Sequence, residues 1–177
     1  RGAARLHRQL SLRTLATARA AGLGPVTLWC APDTRHRFFR ALQRKCGLPL
    51  RTQPEGDLGR RMAHVFAANA DRPLLLIGTD CPALGPDHLQ QAALALRSVD
   101  AVFITTEDGG YFLVGLQKPV PELFAGIDWS TPRVMAQTRS RMSALGLRWQ
   151  EVAMLWDVDR AEDVARWRVL QRAEADA

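Results

Sequence analysis

The sequence predicts an α/β fold, a mixed sheet with helices on both faces. Three observations carry that expectation. Amphipathic stretches of helical period alternate with short apolar runs along the chain, the pattern of helices layered on a sheet. Residues 74–77 form a continuous apolar run without alternation, which suits a central strand buried on both faces. The turn Glu107-Asp108-Gly109-Gly110 passes at once into the apolar run 111–116, which reads as a hairpin-like return and makes at least one strand reversed.

The elements follow in order. Residues 3–21 read as a helix with Leu6, Leu10 and Leu15 on one side, stopped by Gly22. A strand over 26–30 ends at Ala31-Pro32-Asp33. A helix over 34–45 turns Phe38, Phe39 and Leu42 inward and stops at Gly47, and 48–52 is a short strand. After a loop over 53–57, Asp57 can cap a helix that runs to Asn69. The strand 74–77 stops at Gly78-Thr79-Asp80. Cys81-Pro82 turns the chain away, and Pro86 and Asp87 open a helix to Ser98. Strands over 101–105 and 111–116 flank the glycine turn. Residues 119–128 are irregular, with one helical turn at 122–124. Thr131-Pro132 open a helix to Leu145, and 147–155 alternates weakly before Trp156-Asp157-Val158-Asp159. A helix over 160–173 comes last. No repeat, low-complexity tract or linker interrupts the chain, which reads as one domain over residues 1–177.

The 177 residues are 47% hydrophobic and carry a net charge of +6, enough chain for one packed core. No apolar run approaches the roughly 20 residues that span a bilayer, and no signal peptide is visible. Cys30, Cys46 and Cys81 have no metal-ligand spacing and read as reduced thiols of a cytoplasmic protein. The basic excess suits an anionic partner. The arginines are spread along helices rather than clustered with aromatics, and no nucleic-acid motif appears, so a small anion such as a nucleotide is preferred to DNA or RNA. An oligomer is left open.

Three acidic features fall where predicted strands end: Asp80, Glu107-Asp108 and Asp157-x-Asp159. Ligands of open α/β sheets bind at the carboxyl ends of strands. Carboxylates converging there suit Mg²⁺ or Mn²⁺ shared with substrate phosphates. Each acid also has an ordinary reading. Asp80 could be a turn or cap residue. Asp159 is placed to cap the last helix, with Asp163 a turn further on, and capping is the preferred reading for it; for Asp157 a ligand role is preferred. Gly109 and Gly110 supply positive φ to a turn, and their bare backbone would also admit a ligand. Gly56 and Gly59 flank Asp57, with Arg60 and Arg61 behind, in a loop that fits neither a Walker nor a dinucleotide pattern. His7, His36, His64 and His88 fall in predicted helices without ligand spacing and read as surface or packing residues. Cys81 reads as a small buried residue, because the adjacent carboxylate opposes a thiolate.

Five motifs occur in order over essentially the whole chain: Gly56-Asp-Leu-Gly59-x-Arg61-Met62, Gly78-Thr-Asp-Cys-Pro-Ala-Leu84, Glu107-Asp-Gly-Gly-Tyr111, Trp129-Ser-Thr131 and Asp157-Val-Asp159. Together they resemble the glycosyltransferase-A-like family of small bacterial proteins, the radical-SAM/selenodomain-associated transferases. More distantly they are similar to 2-phospho-lactate guanylyltransferase and the molybdenum-cofactor nucleotidyltransferases. The resemblance implies a nucleotide-diphospho-sugar transferase (GT-A) fold with a Rossmann-like mixed sheet. It also implies metal-dependent glycosyl or nucleotidyl transfer from a nucleotide or nucleotide-sugar donor to a small-molecule acceptor. It puts Asp80 at the metal-binding aspartate and Asp157 near a second metal position, with Mg²⁺ or Mn²⁺ as the cofactor. Asp108 and Tyr111 fall in the acceptor-side motif, and Asp108 is the candidate for orienting or deprotonating the acceptor hydroxyl, with Asp80 beside it in catalysis. Gly56, Asp57, Gly59, Arg61, Gly109, Gly110 and Tyr111 would border the nucleotide. Family members open with a strand and a glycine- and lysine-bearing loop ahead of the position of Gly2. The resemblance therefore implies an incomplete start, with unpaired edges on strands 26–30 and 74–77. That leaves a nucleotide-binding module without turnover as the alternative to an enzyme, and charge alone leaves a nucleic-acid binder as a third.

Overall fold

The structure, a computed structural model, describes residues 2–175. Several of its helices begin where local acceptors hold the first amides. α1 (Gly2–Ala20) ends ahead of Gly22, whose φ of 67° leaves the helical region. β1 (Leu28–Cys30) is followed by α2 (Arg37–Cys46), which starts later than the expected residue 34. Asp33 accepts the Arg35 amide at 2.7 Å and His36 Nδ1 accepts the Phe38 amide at 3.2 Å, so these side chains hold a turn ahead of the helix. β2 (Leu50–Thr52) leads to α3 (Leu58–Ala67), capped as expected by Asp57, whose carboxylate accepts the Arg60 amide at 2.8 Å. After β3 (Leu74–Ile77), α4 (Pro86–Ala95) opens on Pro86, and His88 Nδ1 accepts the Gly85 amide at 3.0 Å. Two of the four histidines thus serve as acceptors at helix starts, a more specific role than surface or packing.

Four strands form the main sheet in the order β3-β5-β4-β6, with β4 (Ala101–Thr106), β5 (Tyr111–Leu116) and β6 (Trp149–Leu155). β5 is antiparallel to both β3 and β4, and β4 is parallel to β6. The reversed strand is the one that the glycine turn announces. β1 and β2 pair in parallel as a separate two-stranded sheet. Among the described residues β1 and β3 each pair on one side only.

The expectation for β3 needs correction. It is not buried on both faces: its four residues are half-buried, and the strand lies at the end of the main sheet. The returning β5 takes the place between β3 and β4. The fully buried inner strand is β4, with Val102 and Ile104 on one face and Ala101 and Phe103 on the other. Those faces hold two cores. Leu84, Leu89, Ala92 and Leu96 of the α4 region cover the first. Met62 and Phe66 of α3, Leu123 and Phe124 of the 3-10 turn Pro121–Phe124, and Met135 and Met142 of α5 (Val134–Ala144) cover the second. Helices on both faces of a mixed sheet are therefore observed. A smaller cluster joins Leu10 of α1 and Trp156 to Trp167 of α6 (Ala161–Ala175). No helix among the described residues is long and apolar enough to cross a membrane.

Candidate active site at the acidic rim

β3, β4 and β6 run in one direction, because β5 opposes both β3 and β4 and β6 parallels β4. Their carboxyl ends therefore share one rim. Asp80 follows β3, Asp108 follows β4, and Asp157 and Asp159 follow β6. The Val158 amide donates to the Asp80 carbonyl at 3.0 Å and ties the first of these ends to the last. One carboxylate oxygen each of Asp108, Asp157 and Asp159 lies within 4.8 Å of the other two. Asp80 borders the same rim but stands outside that trio.

Local bonds aim these side chains. Asp108 Oδ1 accepts the Thr106 hydroxyl at 2.5 Å and the Gly110 amide at 3.1 Å, so the turn fixes the carboxylate at the strand end. Asp159 is not the helix cap that was expected. The Asp163 carboxylate accepts both the Asp159 amide at 3.1 Å and the Arg160 amide at 2.7 Å. Capping comes from within the first turn of α6, and the Asp159 carboxylate is left to the rim.

The trio is electrostatically tense. Burial first, then the carboxylates of Asp108, Asp159 and Asp80, push Asp157 from 3.8 to about 6. Asp80 is also pushed upward, chiefly by burial, with Asp159 and Asp108 adding to it. Such mutual repulsion favours proton uptake or a cation. All-oxygen donors suit Mg²⁺ or Mn²⁺. Cys81, next to Asp80, is buried and pushed up to about 12, so it is no nucleophile.

A cavity of about 400 Å³ opens between Trp29 of β1 and Leu76 and Ile77 of β3 and reaches all four acids. Arg61 lies on its wall. Its Nε donates to the Gly56 carbonyl at 3.0 Å and its Nη1 to Gln53 Oε1 at 3.5 Å, and no carboxylate pairs with it among the described residues. Tyr111 stands edge-on to Phe103 and Trp129, with ring centroids 5.1 and 6.3 Å away. Its hydroxyl is buried, and burial pushes it upward against the smaller opposing effect of the Thr138 hydroxyl.

Of the residues singled out in the sequence, Asp80, Asp108, Asp157, Arg61, Gly110 and Tyr111 line this one cavity. Gly56, Asp57, Gly59 and Gly109 do not, and each has a structural task. Gly56 has φ 119° and turns the chain into α3, which Asp57 caps. Gly59 lets α3 pack on its neighbours, since a Cβ there would lie 2.6 Å from the Phe124 carbonyl oxygen and 2.8 Å from Trp129 Nε1. Gly109 has φ 90°, and a Cβ would run into the Pro132 carbonyl, so its bare face is already filled. Gln53 and Trp29, which no sequence motif marks, also line the cavity, as does Ser130 of the Trp129-Ser-Thr131 motif. Ser130 holds φ 61°, the one non-glycine positive φ among the described residues. A serine inside Trp-Ser-Thr carries no advance sign of that strain.

The model of a family described as "Uncharacterized protein conserved in bacteria (DUF2064)" matches residues 14–131. No curated protein matches the chain. Among solved structures, a protein of Desulfovibrio desulfuricans G20, provisionally named a nucleotide-diphospho-sugar transferase, is 25% identical. The match covers 89% of this chain and 70% of that one, with a TM-score of 0.78. A CMP:2-keto-3-deoxy-manno-octonic acid synthetase complexed with CTP is 14% identical over 96% of this chain and 88% of its own, with a TM-score of 0.61.

Proposed function

The chain belongs to the DUF2064 family of bacterial proteins and has the nucleotide-diphospho-sugar transferase fold, and from that premise we propose that it is a metal-dependent glycosyl- or nucleotidyltransferase. Its donor is a nucleotide sugar or nucleotide and its acceptor a small hydroxylated molecule. The observation that carries this reading is the convergence of Asp108, Asp157 and Asp159 at one rim, beside a cavity walled by Arg61, which no carboxylate among the described residues neutralises.

The trio fits a hard divalent cation, because three carboxylates crowd within 4.8 Å, and burial together with the neighbouring carboxylates raises the proton affinity of Asp157. Asp108, Asp157 and Asp159 would hold Mg²⁺ or Mn²⁺, which when bound neutralises charge on donor phosphates and on the departing phosphate oxygen. The remaining work falls to the chain itself. Arg61 donates to phosphate oxygens from the cavity wall, as a planar guanidinium is suited to do. Trp29 offers a flat apolar face to a nucleobase.

Asp80 receives the acceptor's proton. It stands outside the trio, and its raised proton affinity makes it a better base than an ordinary aspartate. The acceptor oxygen bonds to the sugar carbon or phosphorus being transferred. The bond from that atom to the leaving phosphate oxygen breaks, and its electron pair departs with the nucleotide product or diphosphate. Asp108 is one of the three carboxylates that would hold the cation, so the acceptor-side part expected of it passes to Asp80 in this reading.

A thermal-shift panel of nucleotides and nucleotide sugars, with and without Mn²⁺, tests the reading. Cation-dependent stabilisation by one nucleotide class supports it. No stabilisation by any of them removes it.

A further inference from the structure

We infer that the cleft between α1 and α6 is the acceptor subsite and that it takes a small hydroxylated anion, a phosphate ester or a carboxylate. The inference rests on the transferase reading above and adds the chemistry of the acceptor to it. This second concavity, of about 800 Å³, shares Asp80 and Asp159 with the cavity already described. The acidic rim is thus a boundary between two hollows, as transfer between two bound substrates requires.

The cleft has polarity. Its floor is apolar, with Leu10 and Trp167 buried and Leu6, Val158 and Val164 half-buried. Arg5 of α1 and Arg168 of α6 line it, and neither guanidinium has an ion-pair or hydrogen-bond partner among the described residues. Trp167 is only 4% exposed, yet its indole Nε1 is buried without a hydrogen-bond acceptor. An unpaired buried donor is costly and marks a place where an acceptor group belongs. Two cations and an orphaned N–H favour an anionic oxygen. The carboxylates of Asp80 and Asp159 repel that anion but accept from a hydroxyl. A molecule with an anionic end and a hydroxyl end is therefore oriented with the hydroxyl toward the rim. A neutral acceptor would leave Arg5 and Arg168 unused.

The test follows the indole N–H signals of the ¹⁵N-labelled protein, with that of Trp167 assigned through Trp167→Phe. Glycerol 3-phosphate and glycerate are the anionic probes, and glycerol is the neutral control. Saturable movement of the Trp167 signal with at least one anion, and none with glycerol, supports the subsite. Both arginines are exposed, so Arg5→Gln with Arg168→Gln should fold normally, and the affinity for the anion should fall about tenfold or more. Nucleotide affinity in the presence of Mn²⁺ should be unchanged in the same variant. A Trp167 signal that neither anion moves, or undiminished affinity in the double variant, overturns the subsite. Failure of nucleotide binding with a moving Trp167 signal would sink the transferase reading and leave an anion-binding cleft. Nucleotide binding with a still Trp167 signal would do the reverse.

Discussion

Asp157 carries the clearest signature of the rim. Its carboxyl group is pushed from 3.8 to about 6. The folded protein therefore binds this proton more tightly than the unfolded chain does. Between about pH 4 and pH 6 the native state holds more protons than the unfolded state, and stability falls as pH rises through that window. Discounted for the partial exposure of the group, the loss is about 1 kcal/mol. Asp157→Asn should remove it and be more stable than the parent protein at pH 7 by that amount, with the two converging near pH 4. Denaturant unfolding at both pH values checks this, and parallel pH profiles for the two proteins would count against the crowded rim. Carboxyl NMR should also show Asp157 titrating near pH 6 without Mg²⁺ and well below that with it. At this scale the sequence placed Asp80, Asp108 and Asp157 on one rim because strand ends are legible. It misread Asp159, because an aspartate just before a helix looks like a cap whether or not another residue does the capping.

Element boundaries tell the two roles apart. Asp163 holds the first amides of α6, so Asp163→Ala should cost about 1 kcal/mol of stability. Asp159→Ala should cost little stability but weaken Mn²⁺ binding; urea midpoints and manganese titration of the two variants separate the cases. Equal destabilisation by both would restore the capping reading. The glycine turn allows a second test. Gly109→Ala would set a Cβ against Pro132 at a φ of 90°, at a cost of about 1–3 kcal/mol, and would shift the turn that carries Asp108. Thermal melts of that variant beside Gly2→Ala, where nothing lies within 4 Å, measure the difference. The helices and the reversed β5 were legible from period and punctuation. The starts of α2 and α5 were not. At α2, side-chain acceptors such as Asp33 and His36 hold the chain in a turn first. At α5, the Thr131 hydroxyl bonds the Asp128 carbonyl at 2.7 Å in a turn that precedes the helix. The burial of β3 was misjudged, though its one-sided pairing is what the resemblance implied. Four apolar residues in a row report hydrophobicity, not which neighbours the strand pairs with.

The whole molecule sets two hollows against one acidic rim, with Arg61 on the wall of the first and Arg5 and Arg168 on the second. No local motif announces such an arrangement, because it arises from β3, β4 and β6 pointing the same way and from α1 meeting α6. In the function proposed above, the rim binds a nucleotide through a divalent cation. Calorimetric titration of a nucleoside diphosphate, with and without Mn²⁺, into the parent protein and Asp157→Asn tests it most directly. Binding should require Mn²⁺ and weaken at least about tenfold in the variant, as expected when a charged contact is lost. Binding of equal strength without the cation, or unchanged in Asp157→Asn, would contradict it.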